Sequence, residues 1–424
     1  MSSKGSFLKT IYIPFEEVKP FLVLPPKAFA FLHLVRFLAR NKGYFLYLAG
    51  GPVRDFLLKR PVKDLDLVLE GDWKELLPEI LKEKGLTLLF QSPFLTYKLK
   101  IDEGFTLDLV TARKEIYPEP AHLPKVSPSD FKEDIFRRDF TINALIYGLT
   151  PPYEETLVDL VSGLADLKKG LIRPLHLKSF VDDPTRAFRG VRYKVRLRFD
   201  FAEEIYLALS EADKVSSFKK LSAQRLINEL LLFLFKESLE DLPLLLEETK
   251  RLKLLNRTGL VLRKISPKDF EILELALIEL SRKEAEKFFL LFLVEISEEN
   301  LKRLGFSEKE RLRLLKWWNY FFKEDSFFKL GIIEKVEVLE KLPLYFVFRL
   351  SLEETYREFI LKFLKELRFV KPEVTGYDLL SMGVKEGETI GKILKELRRR
   401  RIEGELRSKE EELSFVKTLI FQSF

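Results

Sequence analysis

The sequence predicts an α+β chain: a mixed α/β N-terminal part with a small sheet, then an all-helical remainder. Sixteen of the twenty prolines lie at or before Pro184, so the rest of the chain is almost free of helix breakers. Up to that point, strand-like runs at 44–49, 63–69, 95–101 and 105–111 alternate with helical spacing. Beyond it, segments such as 221–236, 269–280 and 335–342 carry apolar residues at helix spacing with Lys and Glu between them, and no fixed-period repeat is evident. A chain of 424 residues is too long for one ordinary core. The layout expected is a head over 1–148, a neck over 149–215, a helical body over 216–330 and a helical tail over 331–424.

Composition removes whole classes of chemistry. There is no cysteine and only His33, His122 and His176, which excludes thiolate nucleophiles, disulfides and Cys-ligated zinc. Any metal must therefore sit on oxygen ligands. Zero cysteine is compatible with a reducing cytoplasm, the expected location. The net charge of +7, from 73 basic and 66 acidic residues, suits a polyanionic partner. No apolar run approaches the roughly 20 residues a membrane span needs, so no membrane partner is expected. The opening Met-Ser-Ser-Lys-Gly-Ser has no signal-peptide pattern, and whether the chain is part of a longer protein stays open.

In chain order, Tyr44 to Ala49 reads as a strand, Gly50-Gly51 as a tight turn and Pro52 as a helix start. A diglycine turn feeding a helix lets backbone N–H groups approach a triphosphate closely. The run 63–69 alternates, so Leu65, Leu67 and Leu69 face a core while Asp64 and Asp66 share the other face. Two such carboxylates can hold hard cations, and equally can form a solvated sheet face. In 105–111, Asp108 shares a face with Thr106 and Val110; it is a third acid for a metal, a partner for Arg113, or a solvent-facing group.

Arg137 to Ala144, R-R-D-F-T-I-N-A, fits a capped helix start or a polar site, since Arg138 can pair with an anion and Asp139 can accept from a hydroxyl. Asp183 and Pro184 read as the N-cap and first residue of a helix, with Asp183, Arg186 and Arg189 at three-residue steps along one face. Capping plus an i,i+3 ion pair between Asp183 and Arg186 is the plain reading. In the tail, Lys392, Lys395 and Arg398 to Arg401 fall on a helix beginning near Ile390, either a phosphate grip or a solvated charged face.

Taken together, the pattern G-G-x-V-R-D-x-L-L over 50–58 and D-h-D-h-V-h-E-G-D over 64–72 resembles the signature of class II tRNA nucleotidyltransferases and bacterial poly(A) polymerases, within the DNA polymerase beta superfamily. R-R-D-F-T-I-N-A matches the family's second motif. Asp182 to Arg186 matches its E-D-x-x-R motif, with Asp182 in place of Glu. The resemblance implies a nucleotidyltransferase head and template-independent transfer from CTP and ATP to the 3′ end of tRNA, as CCA, CC alone or A alone. It implies two Mg²⁺ ions on Asp64 and Asp66, with Asp108 as a third catalytic carboxylate. Nucleotide binding falls to Gly50, Gly51, Arg54, Arg138, Asp139 and Asn143; Asp183 and Arg186 face the base and Arg189 the phosphates.

A guanidinium beside a carboxylate matches the ring nitrogen and amino group that cytosine and adenine share, and leaves uracil and guanine mispaired. The resemblance also implies a head-to-neck linking motif at Val158 to Arg173, a loop at Lys114 to Asp130 that governs switching between additions, and tRNA contacts from Lys392, Lys395, Arg398, Arg399, Arg400 and Arg401. No obligate protein partner is evident. A poly(A) polymerase and a catalytically inactive RNA-binding protein are the rival readings.

Overall fold

The structure of the chain, a computed structural model, describes residues 8–62, 65–83, 85–101, 105–322, 326–384 and 387–422. It divides into two compact units, Met1–Thr258 and Gly259–Phe424. Among the described residues no helix is long and apolar enough to cross a membrane.

The strands described in the first unit are β1 (Lys9–Tyr12), β2 (Phe45–Ala49), β3 (Asp66–Glu70), β4 (Leu86–Ser92), β5 (Thr96–Ile101), β6 (Phe105–Thr111), β7 (Arg113–Ile116), β8 (Lys125–Pro128), β9 (Ile146–Gly148), β10 (Thr156–Asp159), β11 (Leu171–Ile172) and β12 (Asp200–Phe201). The last two pair in parallel, so the segment 149–215 is not all-helical as expected. Eight of them form one sheet in the order β1-β10-β9-β2-β3-β6-β5-β4, and β7 pairs with β8 separately. Every neighbouring pair in the large sheet is antiparallel except β3 with β6, which run parallel at its centre. The sheet is thus larger than the four runs legible in the sequence. The added strands lack alternation: β9 is three residues long and wholly buried, and β4 is exposed along most of its length.

β2 is buried at all five positions, because side chains from both of its faces enter cores. Phe45, Tyr47, Val68, Ile146 and Val158 share one cluster, each large apolar side chain contributing about 1.5–3 kcal/mol by leaving water. β3 differs from the alternation expected of 63–69. Val68 is buried together with Leu67 and Leu69, since a central strand is covered on both faces. Lys63 and Asp64 lie outside the described residues.

The helices that position the site are α1 (Pro26–Asn41), α2 (Gly51–Leu57), α3 (Phe131–Phe136), α4 (Thr185–Leu197) and α5 (Ala223–Phe235). At the end of β10, Asp159 accepts backbone N–H groups of Val161, Gly163 and Leu164, which folds the linking motif back on itself. A Cβ on Gly163 would lie 2.2 Å from the Thr141 carbonyl oxygen, so only glycine allows this turn to dock on the R-R-D-F-T-I-N-A segment. Thr141 and Arg173 both donate to Asp166, closing the same junction.

The second unit is helical throughout. Its main elements are α6 (Pro267–Glu279), α7 (Arg282–Leu293), α8 (Ile332–Glu340), α9 (Leu344–Ser351), α10 (Glu354–Lys365), α11 (Gly376–Ser381), α12 (Glu388–Glu403) and α13 (Lys409–Gln422). Ser266 with Asp269 and Ser281 with Glu284 form capping boxes that start α6 and α7. The apolar end of α7, Phe288 to Leu293, is buried, and Phe288 meets Phe348 of α9 at 5.8 Å between ring centroids. Val374, Leu379, Leu397 and Val416 hold the last helices together.

Candidate active site

Four segments far apart in sequence line one cleft of about 380 Å³ in the first unit: the Gly50-Gly51 turn, β3 at Asp66, the segment 137–143 and the start of α4. Among the described residues its wall carries six arginines, Arg113, Arg137, Arg138, Arg186, Arg189 and Arg225, against four carboxylates, Asp66, Glu115, Asp139 and Asp183. The cationic surplus suits a polyanion such as a triphosphate.

Gly50 occupies a left-handed conformation with φ of 73°, and a Cβ there would stand 3.0 Å from Arg138 Nη1. The positive φ is what requires glycine; a Cβ would in addition press on the Arg138 guanidinium. Arg138 itself donates to Asp134 Oδ2 at 2.7 Å, while its buried Nε has no protein partner. Asp134 is fully buried between Arg137 and Arg138. Burial pushes its carboxyl up, but the two guanidiniums outweigh that and hold it down to about 2.

The acids of the central strands meet across the parallel pair. Asp66 of β3 stands in register with Asp108 of β6, one strand spacing away and on the same face of the pleat. Asp108 receives Lys98 of β5 at 3.1 Å rather than the Arg113 partner weighed from sequence; Arg113 turns instead to Glu115. Asp66 lines the cleft. The donor set fits hard divalent ions, since it offers carboxylate oxygens and no nitrogen or sulfur. Among the described residues, which omit Asp64, no group of three potential ligands occurs.

Of the expected nucleotide-binding residues, Gly50, Gly51, Arg138, Asp139, Asn143, Asp183, Arg186 and Arg189 all line the cleft. Arg54 does not. It lies behind Asn143, donating from Nη1 to Asn143 Oδ1 at 2.7 Å and from its other nitrogens to Asp55, so it orients the amide instead of reaching the cavity. Asp139 is 3% exposed. Its Oδ1 accepts from Asn143 and from the Phe140 backbone, and its Oδ2 accepts twice from Arg189. Burial opposes its charge, yet Arg189 and the Asn143 hydrogen bond keep the carboxyl below the usual range. With both oxygens engaged, a ribose hydroxyl would have to displace one of these donors; the carboxylate's direct work is to aim Arg189.

The helix expected from Pro184 starts one residue later, at Thr185, and Asp183 caps it by accepting the Thr185 N–H at 2.9 Å. The i,i+3 ion pair between Asp183 and Arg186 does not form, because each has a better placed partner. Asp183 Oδ1 takes Arg225 Nη2 at 2.6 Å from α5, leaving Oδ2 without a protein hydrogen bond among the described residues. Arg186, 4% exposed, donates to Ser179 Oγ, the Arg137 carbonyl and the Tyr117 hydroxyl. Three of its five N–H donors are thereby fixed and two remain for a ligand. Asp183 thus keeps one carboxylate oxygen and Arg186 two N–H donors outside these bonds, and both residues line the same cleft.

Sequence reasoning did not single out Arg225, Tyr117, Glu115 or Asp134. Arg225 left a readable signal: Arg225 and Glu229, spaced i,i+4, interrupt a helix face otherwise made of Leu226 and Leu230, and Glu229 pairs with Arg192. Buried charges at helix spacing call for partners across the interface. Glu115 stands on β7 and Tyr117 just after it, in the segment 114–130, expected to be a loop but containing the paired strands β7 and β8; its prolines hide the strand pattern that would mark which side chains turn inward.

In the second unit the basic helix α12 begins at Glu388, and each basic side chain named from sequence has an acidic partner. Lys392 pairs with Glu388, Lys395 with Glu337, Arg398 with Glu340, Arg399 with Glu396 and Glu403, and Arg400 with Glu396 and Glu405. Arg401 bridges Glu373 and the fully buried Glu412, which also accepts the Val374 N–H.

A family described as the poly A polymerase head domain matches residues 46–173. The chain is 33% identical over 369 residues to an A-adding tRNA nucleotidyltransferase of Aquifex aeolicus (strain VF5), a match covering 83% of this chain and 44% of that protein. It is 27% identical to the A-adding tRNA nucleotidyltransferase of Geobacter sulfurreducens, across 87% of this chain and 44% of the relative. The chain therefore spans less than half the length of these curated relatives. Among solved structures it is similar to a tRNA-processing enzyme with CTP, at a TM-score of 0.63 and 29% identity, covering 87% of this chain and 99% of the other.

Proposed function

The chain belongs to the class II tRNA nucleotidyltransferase and bacterial poly(A) polymerase family, and from that premise we propose that it adds nucleotides to the 3′ end of tRNA, with the terminal adenosine as its product. The observation that carries the reading is the convergence, in one cationic cleft, of the Gly50-Gly51 turn, Asp66 beside its in-register neighbour Asp108, and the Asp183–Arg186 pair. The preference for adenosine rests on the two relatives that share most of this chain, both named A-adding.

In the proposed reaction the 3′-hydroxyl oxygen of the RNA attacks the α-phosphorus of ATP, the bond to the β-phosphate oxygen breaks, and pyrophosphate leaves. Arg138, with an unpartnered Nε, and Arg189, aimed by Asp139, offset the triphosphate charge. Asp183 Oδ2 accepts from the adenine amino group while an Arg186 N–H donates to N1. Asp64, Asp66 and Asp108 would hold Mg²⁺. Bound there, the ions would lower the hydroxyl's pKa and neutralise charge on the leaving pyrophosphate. In the tail, Lys392 and Lys395, with side chains 78% and 77% exposed, are the best placed to exchange their glutamates for RNA phosphates. Arg401 serves the tail's own packing.

The test offers ATP, CTP, GTP and UTP singly, with Mg²⁺, to tRNA ending in CC and to tRNA lacking CCA. Incorporation of one adenosine, only on the CC end, is expected. Addition of cytidines would move the reading to the CC or complete CCA steps; long adenosine tracts on unrelated RNA would make it a poly(A) polymerase. No incorporation at all would leave an RNA-binding protein.

A further inference from the structure

A second cavity, of about 130 Å³, adjoins the base-reading end of the cleft. It shares Glu115, Tyr117, Arg137 and Arg186 with the main cleft, so these four side chains form the partition between the two spaces. His176 and Asp182 line this cavity but not the main cleft.

Three members of the partition are firmly fixed. Glu115 receives Arg113 and Arg137, Arg137 is also held by Asp134, and Arg186 donates to Ser179 and to the Arg137 carbonyl. Tyr117 is held by its hydroxyl, which donates to Glu115 Oε2 at 2.8 Å and accepts Arg186 Nη2 at 3.2 Å, and by its ring, which lies 5.7 Å from the Arg186 guanidinium. It stands on the connection after β7 rather than within a helix or sheet. Tyr117 is therefore the one partition member that can be removed without taking away a buried charge.

We propose that Tyr117 is a specificity-determining residue whose ring closes the base site and sets how large a base edge it accepts. The proposal rests on the reading that Asp183 and Arg186 face the base. With the ring in place, a substituent on the amino edge meets a wall; with it removed, the two cavities join behind Arg186. The hydroxyl has a separate task, holding one of the Arg186 donors in position.

The experiment measures kcat/KM for ATP and for N6-benzyl-ATP on tRNA ending in CC, in the natural protein, Tyr117→Ala and Tyr117→Phe, with thermal melting of each. Tyr117→Ala should raise the ratio of N6-benzyl-ATP to ATP by about tenfold or more, the scale on which a pocket discriminates added bulk. Tyr117→Phe, which keeps the ring, should leave that ratio unchanged while raising KM for ATP through the loosened Arg186. An unchanged ratio in a folded Tyr117→Ala, or an equal rise in Tyr117→Phe, overturns the proposal. If Tyr117→Ala does not fold, the ratio in Tyr117→Leu decides by the same criterion. Failure of the underlying reading is distinct, because Asp183→Asn and Arg186→Ala would then keep the natural protein's preference for ATP over UTP.

Discussion

The cleft and the tail helix α12 both look, in the sequence, like places where arginine gathers, yet they use it in opposite ways. In the cleft, arginines outnumber carboxylates among the described lining residues, and Arg186 is held by a carbonyl and two hydroxyls that leave donors free, although Arg137 has two acids. On α12 every basic side chain named has its own glutamate, and Arg399, Arg400 and Arg401 have two each. A positive run thus keeps donors free only where the fold withholds the matching acids. Exposed pairs such as Lys392–Glu388 are worth about 0–1 kcal/mol, so phosphate can compete for them, whereas Arg401 on buried Glu412 cannot leave cheaply.

The largest effect should come from the acids of the central strands. Asp66→Asn and Asp108→Asn should each lower nucleotide incorporation by several orders of magnitude while tRNA affinity, read by filter binding, stays near normal. Near-normal turnover by both in Mg²⁺ would sink their assignment to the metals.

Next is the buried carboxylate behind the cleft. Asp134→Ala takes the acid from Arg138 and one of two acids from Arg137, and should cost about 3–5 kcal/mol in urea unfolding. Its folded pKa, about 2, lies below the unfolded value near 3.9, so its contribution is complete above the unfolded value and is lost as pH falls through the folded one. Between about pH 5 and pH 2 the natural protein should therefore lose roughly 2–3 kcal/mol that an Asp134→Asn variant does not lose. Parallel acid profiles for the two would contradict the pairing.

Base choice should change by less. Arg186→Ala and Asp183→Asn should each reduce discrimination between ATP and UTP by about 1–3 kcal/mol in the ratio of kcat/KM values. Arg225→Met, which removes the support of Asp183 together with a bond to the Ala121 carbonyl, should reduce it by a smaller amount. A larger loss for Arg225→Met than for Asp183→Asn would mean that Arg225 itself meets the nucleotide.

The smallest effect belongs to the tail, where it decides the comparison most directly. Lys392→Ala with Lys395→Ala should weaken tRNA binding and lower the salt slope by about 1 per lysine. Glu337→Gln with Glu388→Gln should do the reverse, since it frees both lysines. If neither pair moves the slope, α12 is a self-neutralised face and the tail binds tRNA elsewhere or not at all.

Local chemistry made much of this protein legible without coordinates. The diglycine turn, the acids on 63–69 and 105–111, the second motif and the helix at Pro184 all depend on neighbours within a few residues, and eight of the nine expected nucleotide-binding positions line the cleft. What the sequence could not determine was partnership across distance. Arg54 and Asn143 are 89 positions apart, Arg189 and Asp139 are 50 apart, and Arg225 and Asp183 are 42 apart. Whether a guanidinium faces a ligand, a backbone carbonyl or a glutamate depends on which segment packs opposite it. That choice is made by burial, because a charge leaving water must find a counter-charge or hydrogen-bond partner within reach. A linear pattern gives the charge, and only the tertiary structure gives the reach.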